Sequence, residues 1–191
     1  MIDSRMLWLD FETTGLDPDS DKILEVGTIL TNGDLEEISS YHRVIHQPED
    51  VLAKMNDWCK KTHSESGLVK EVRASGHDLV DIEQELIAHI NKEFGSEKPI
   101  LCGSSIHFDR SFIRKHMPYL DKRLHYRMID VSSFMEAFRL MYGYSRKDYG
   151  RKTEHRVLAD GRASIADMKH YKQFINGREM RISQMFDDEL P

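Results

Sequence analysis

Two apolar runs near the amino end, Met6 to Asp10 and Ile23 to Leu30, have the length and continuity of buried strands. Asn32-Gly33 follows the second and predicts a turn into a third strand over Glu36 to Ile45, because Asn-Gly between such runs is a strong hairpin signal. The pattern then changes period. Leu79, Ile82, Leu86, Ile90 and Phe94 recur at helical spacing between a capping Asp78 and Gly95, which predicts a helix over 78–94. Short apolar stretches at Ile100 to Cys102 and Tyr126 to Ile129 predict further strands. Helices are expected over Phe108 to His116, Ser132 to Tyr142 and Val157 to Ile175. The sum is an α/β fold, a mixed sheet with helices packed against it.

Composition narrows the class. With 191 residues, 39% of them hydrophobic, the chain can bury one full core, and no low-complexity linker or internal repeat divides it. Met1-Ile2-Asp3-Ser4-Arg5 lacks the apolar run of a signal segment, and no stretch approaches a membrane span. Cys59 and Cys102 lie far apart without metal-type spacing and read as reduced thiols of a cytoplasmic protein.

Chemistry enters where the first strand ends. Leu7-Trp8-Leu9-Asp10-Phe11-Glu12-Thr13-Thr14-Gly15 closes an apolar run with two carboxylates one residue apart. Strand side chains alternate, so Asp10 and Glu12 point the same way and repel unless a cation joins them. Hard oxygen ligands favour Mg²⁺ or Mn²⁺ over zinc. A rival reading is an aspartyl-phosphate phosphatase, whose nucleophile opens a similar Asp-x-Asp-x-Thr segment.

Two later blocks bear on that choice. From Ile100 to Ile113 a short strand, a small-residue loop and an amphipathic helix place Asp109 in the first helical turn, where alone it could merely complement the helix dipole. In His155-Arg156-Val157-Leu158-Ala159-Asp160, five helical steps turn through about 500°, leaving the end residues roughly 140° apart. They cannot both face one site from a regular helix. His155 is therefore expected on the loop leading in, and Asp160 on the helix.

Together the blocks resemble the DEDDh exonuclease superfamily, whose pattern is Asp-x-Glu, then Asp, then His-x4-Asp. The segments Trp8 to Pro18, Met55-Asn56-Asp57-Trp58, Thr62 to Leu68 and Leu124 to Ser132 are similar to those of oligoribonucleases, over residues 6 to about 175. The resemblance implies a ribonuclease H-like fold, an exonuclease domain over 1–176 and a tail, 177–191, of unassigned role. It implies 3′-to-5′ hydrolysis of short RNA, notably dinucleotides, to nucleoside 5′-monophosphates. Asp10, Glu12, Asp109 and Asp160 would hold two ions about 4 Å apart, one generating the nucleophile and one stabilising the leaving oxygen. His155 would accept the water's proton, a task suited to a pKa of about 6.5. The resemblance further implies that Leu16 wedges between two bases, that Trp58 and His63 line the substrate pocket, and that Ser105 contacts sugar or phosphate. Tyr126, Arg127 and Ser132 would cap the 5′ phosphate, with the tyrosine donated across a homodimer. Two positions depart from the family: Ala159 stands where a second acid is usual, and Gly161 costs its helix roughly 1 kcal/mol.

Charge separates the remaining classes. A net charge of -6 does not suit a protein that holds long nucleic acid on a broad basic face. A short oligonucleotide needs only local cations, which Arg146, Lys147, Arg151, Lys152 and Arg156 could supply. A phosphatase should carry a later lysine and an acidic loop, neither of which can be placed, and a metal-dead binding protein should have lost ligands. A DNA-trimming exonuclease remains the runner-up.

Overall fold

The computed structural model describes residues 5–143 and 155–187. One mixed sheet of five strands runs in the order β3-β2-β1-β4-β5. Central β1 (Met6–Thr13) is antiparallel to β2 (Ile23–Thr31), which is antiparallel to β3 (Glu37–Val44). On its other side β1 is parallel to β4 (Leu101–Gly103), and β4 to β5 (Met128–Asp130). The helices are α1 (Glu49–Leu52), α2 (Asp57–Glu65), α3 (Leu68–Ala74), α4 (Leu79–Phe94), α5 (Ile106–His116), α6 (Pro118–Arg123), α7 (Val131–Tyr142) and α8 (Val157–Asp187).

Every expected strand and helix is present, with shifted ends. β1 continues to Thr13, pairing residue by residue with β2 as far as Glu12, so Asp10 and Glu12 lie inside a strand rather than at its end. β5 starts at Met128 and leaves Tyr126 in a loop. α8 carries on past Ile175 through Asp187, taking in most of the expected tail. The short helices α1, α2, α3 and α6 were not anticipated, since one or two turns are too few to display a helical period. The hairpin turn also differs. Asn32 Oδ1 accepts the N–H groups of Asp34 and Glu36, both at 2.9 Å, and the left-handed residue is Leu35 (φ 65°) rather than Gly33. Leu35 is thereby carried into the core.

Alternation along β1 sorts the two faces. Leu7, Leu9 and Phe11 join Val26, Leu30 and the apolar stripe of α4 on one side. Trp8 and Ile29 join Phe138 of α7 with Ile165 and Tyr171 of α8 on the other. Asp10 and Glu12 share the face of Trp8 and so look toward α8.

Cross-strand register sets the distance of α8 from that face. The pairs are Trp8 with Ile29, Asp10 with Gly27, and Glu12 with Glu25. A Cβ on Gly27 would stand 2.6 Å from Val157 Cγ2, and one on Gly161 would stand 3.2 Å from Ile29 Cδ1. The glycine that weakens the helix therefore lets it lie close to β2. Gly27→Ala should cost about 1–3 kcal/mol of stability by overpacking, read as a lower urea midpoint, and should also depress activity by lifting α8. An unchanged midpoint would show that the helix withdraws freely.

Candidate active site

Three elements converge on the α8 side of β1. The N–H of Phe11, between the two strand carboxylates, donates to Asp109 Oδ1 at 3.0 Å. That donor is open to a side chain because β4 pairs with β1 only at Leu7 and Trp8. β4 then ends at Gly103, where a Cβ would stand 2.9 Å from the Leu9 carbonyl oxygen. Asp109, buried in the first turn of α5, is tied in this way to the backbone linking Asp10 and Glu12. Asp160 arrives from the first turn of α8. Ligand atoms of Glu12, His155 and Asp160 all lie within 4.8 Å of one another. His155 stands just outside α8 with left-handed backbone (φ 50°), which is how the angular conflict of a helical pair is avoided.

Beside this group is a cavity of 460 Å³ lined by Glu12, Leu16, Trp58, His63 and Phe108, among others. Leu16 is 79% and Trp58 60% exposed, so neither is a core residue. The indole meets the His155 ring edge-on, centroids 5.4 Å apart. Buried His63 donates Nε2–H to the Thr13 carbonyl at 2.9 Å, because a carbonyl can only accept. Its Nδ1 is then an acceptor, 3.8 Å from Glu12 Oε2 and without a hydrogen-bond partner among the described residues.

A polar cluster forms where β4 and β5 give way to α5 and α7. Ser105, left-handed at φ 53°, donates its N–H to Asp130 Oδ1 (2.9 Å) and Ser132 Oγ (3.0 Å), and the two serine hydroxyls are 3.1 Å apart. His107 Nδ1 lies 3.3 Å from Asp130 Oδ2. Tyr126 is 68% exposed, stacked on His125 at 4.6 Å with the Arg127 guanidinium 4.8 Å over its ring.

The exonuclease family profile RNase_T matches residues 7–167. The oligoribonuclease of Francisella tularensis subsp. tularensis (strain WY96-3418) is 41% identical over 170 residues, 88% of this chain and 94% of the relative. This chain belongs to the oligoribonucleases of the exonuclease family. It is therefore a nuclease, a hydrolase. The oligoribonuclease of Vibrio parahaemolyticus is 39% identical over 174 residues, 91% of this chain and 96% of its own. Among solved structures, the zinc-bound complex of E. coli exonuclease I with single-stranded DNA superposes with a TM-score of 0.68 at 20% identity, over 87% of this chain and 40% of that one. Exonuclease I of Methylocaldum szegediense gives 0.66 at 20%, over 86% and 39%. The chain thus spans about two fifths of each exonuclease I chain, and the likeness establishes the ribonuclease H-like fold.

In this oligoribonuclease the carboxylates raise one another's pKa. Burial, then Asp109, Glu12 and Asp160, hold Asp10 well above the usual carboxylate range. Glu12 is pushed up to about 8 by burial and by Asp160, Glu25 and Asp109, against the pull of Arg156. Asp109 is pushed up to about 8, again chiefly by burial, although the Phe11 N–H opposes the shift. Burial lowers His63, so the 3.8 Å approach to Glu12 is not an ion pair. Oxygen-rich donors that resist ionisation in this way fit a divalent cation.

One expected role changes. Arg156, read as a cation for substrate, is bound to Glu25 and Glu71 instead. Arg146, Lys147, Arg151 and Lys152 lie outside the described residues. Glu25 lies outside the motif pattern, whereas Phe108, on the core-facing side of its helix, also lines the cavity. Glu25 did leave a trace, a lone charge inside the apolar run Ile23 to Leu30.

Raised carboxylate values carry a sign. With folded values near 8 against about 4 unfolded, stability is present in full below pH 4 from these groups alone and is lost as pH rises to about 8. In EDTA the melting temperature should fall over that window, Asp109→Asn should flatten the fall, and Mg²⁺ should abolish it. A melting temperature that does not respond to pH in EDTA would contradict the assignment.

Proposed function

We propose that this oligoribonuclease is a 3′-to-5′ exoribonuclease that hydrolyses short oligoribonucleotides, dinucleotides among them, to nucleoside 5′-monophosphates. The carrying observation is the meeting of Glu12, His155 and Asp160 within 4.8 Å beside Asp10 and Asp109. Asp10, Glu12, Asp109 and Asp160 would hold two divalent ions, Mg²⁺ or Mn²⁺ by the hardness of four carboxylates. When bound, the ions neutralise the scissile phosphate and acidify the attacking water. His155, on its loop, takes the proton from that water. The domain responsible is assigned to residues 1–176, with no role assigned to 177–191.

Binding roles follow from exposure and chemistry. Leu16 and Trp58 present apolar surface to the cavity and suit contact with bases, Leu16 as a wedge. His63 Nδ1 accepts from a sugar hydroxyl. Ser105 and Ser132 offer paired hydroxyls, and Arg127 a cation, for the 5′ phosphate. Tyr126 projects from its loop and closes over the site of a second copy in a homodimer. No helix among the described residues is long and apolar enough to cross a membrane, and both cysteines are free and buried, which supports a cytoplasmic setting.

Digestion of 5′-labelled RNAs from the dinucleotide upward, with and without EDTA, tests the reading. Mononucleotides should appear only with Mg²⁺ or Mn²⁺. Alanine at Asp10, Glu12, Asp109 or Asp160 should abolish turnover, while His155→Ala should lower kcat by about 10² to 10⁴. Full activity in EDTA, or in any of the four carboxylate variants, would refute the metal assignment. A twenty-nucleotide RNA that outcompetes a 5′-phosphorylated dinucleotide would favour a processive exonuclease.

Sharing of sites between subunits has its own test. Tyr126→Ala and Asp10→Ala proteins should each be nearly inactive alone, and should regain partial activity when mixed and re-equilibrated, because some mixed dimers pair an intact tyrosine with intact carboxylates. Full activity of Tyr126→Ala, or of a wild-type monomer, would remove the tyrosine from the site.

A further inference from the structure

We propose that Arg156 is a positioning residue for His155: its guanidinium, gripped by Glu25 and Glu71, holds the neighbouring backbone in the left-handed turn that aims the imidazole at the carboxylates. The proposal rests on the reading of His155 as the base. Arg156 Nε and Nη2 donate to Glu25 Oε1 at 2.9 and 2.8 Å, while Nη1 and Nη2 reach Glu71 Oε1 and Oε2 at 2.9 and 2.8 Å. A planar fork can bridge two carboxylates in this way, and an ammonium cannot.

Both anchors are themselves fixed. Glu25 is 1% exposed, sits opposite Glu12 in the register, and has His42 Nε2 at 2.6 Å. Burial pushes its carboxyl up, yet the hydrogen bonds from His42 and Arg156 outweigh burial and keep it ionised. Glu71 belongs to α3, packed with α2 through Cys59, Leu68 and Val72, and α2 carries Trp58 and His63. The Arg156 carbonyl also accepts the Asp160 N–H at 3.0 Å, opening α8. One residue therefore ties the base loop to the strand beside Glu12, to the cavity wall and to the start of the helix that bears Asp160. A left-handed backbone at a residue with a side chain persists only where its surroundings impose it. These contacts also occupy the guanidinium, which leaves the phosphate to other groups.

The test is a double-mutant cycle in kcat and KM on a 5′-phosphorylated dinucleotide at saturating Mg²⁺, with folding checked by circular dichroism. Arg156→Gln should lower kcat by about ten- to a hundredfold with KM nearly unchanged, as expected for a misaligned base rather than lost binding. Arg156→Lys should recover part of that loss. In a His155→Ala background Arg156→Gln should lower kcat no further. If Arg156→Gln does not fold, Glu71→Gln, which leaves the buried Glu25 pair intact, should still show a smaller drop in kcat at constant KM. Losses that multiply in the double variant, or a raised KM at constant kcat, would overturn the positioning role and leave the base reading intact. A His155→Ala enzyme with full kcat would overturn both.

Discussion

Like-charge repulsion in a poorly hydrated cleft is the constraint to which the rest of the structure answers. Burial and neighbouring carboxylates, Asp109 and Asp160 among them, raise the pKa values of Asp10 and Glu12, and burial raises that of Asp109. Such a group opposes folding when no cation is bound, so the scaffold must hold it by other means. It does so with apolar cores on both faces of the sheet, around Leu7, Leu9 and Phe11 on one side and Trp8 and Ile29 on the other. Each carboxylate rides on an element anchored in one of these cores.

Rigidity is distributed unevenly. The strand carboxylates are fixed by register, and Asp109 by its bond to the Phe11 N–H. Asp160 is fixed by the close seating of α8 on β2 at Gly27 and Gly161. His155 lies outside the helix in a strained backbone conformation, as does Ser105 at the opposite end of the site. Strain of that kind is held in place by neighbours and collects where chemistry requires a particular direction. Under the proposed roles the four carboxylates sit on regular elements and the imidazole on a held turn, so the two tasks fall on different kinds of segment.

Net charge and local charge point in one direction. The chain carries -6 overall, and the arginine that looked available near the site is spent on Glu25 and Glu71. Affinity for long nucleic acid comes mainly from phosphate contacts. Under the proposed function, exposed Leu16 and Trp58, the paired serine hydroxyls and Arg127 would suit a short oligonucleotide held by stacking and by a terminal phosphate.

Much of this was legible in the sequence. The strands, the long helices and the five residues Asp10, Glu12, Asp109, His155 and Asp160 announce themselves through periodicity and through carboxylates placed at strand and helix ends, because those signals are local. Even the loop position of His155 follows from the angle between residues five apart. Other features depended on partners distant in the chain. That Arg156 serves Glu25 across 131 residues, that Gly161 is a point of contact rather than a defect, and that Phe108 lines the cavity are facts of register and packing. Short helices also escaped notice, since elements of so few turns show too little period to read. Sequence alone thus determined which groups could carry the proposed chemistry, while tertiary structure decided which charges are already paired and where the His155 ring points, because side-chain partners are chosen by proximity in space and not along the chain.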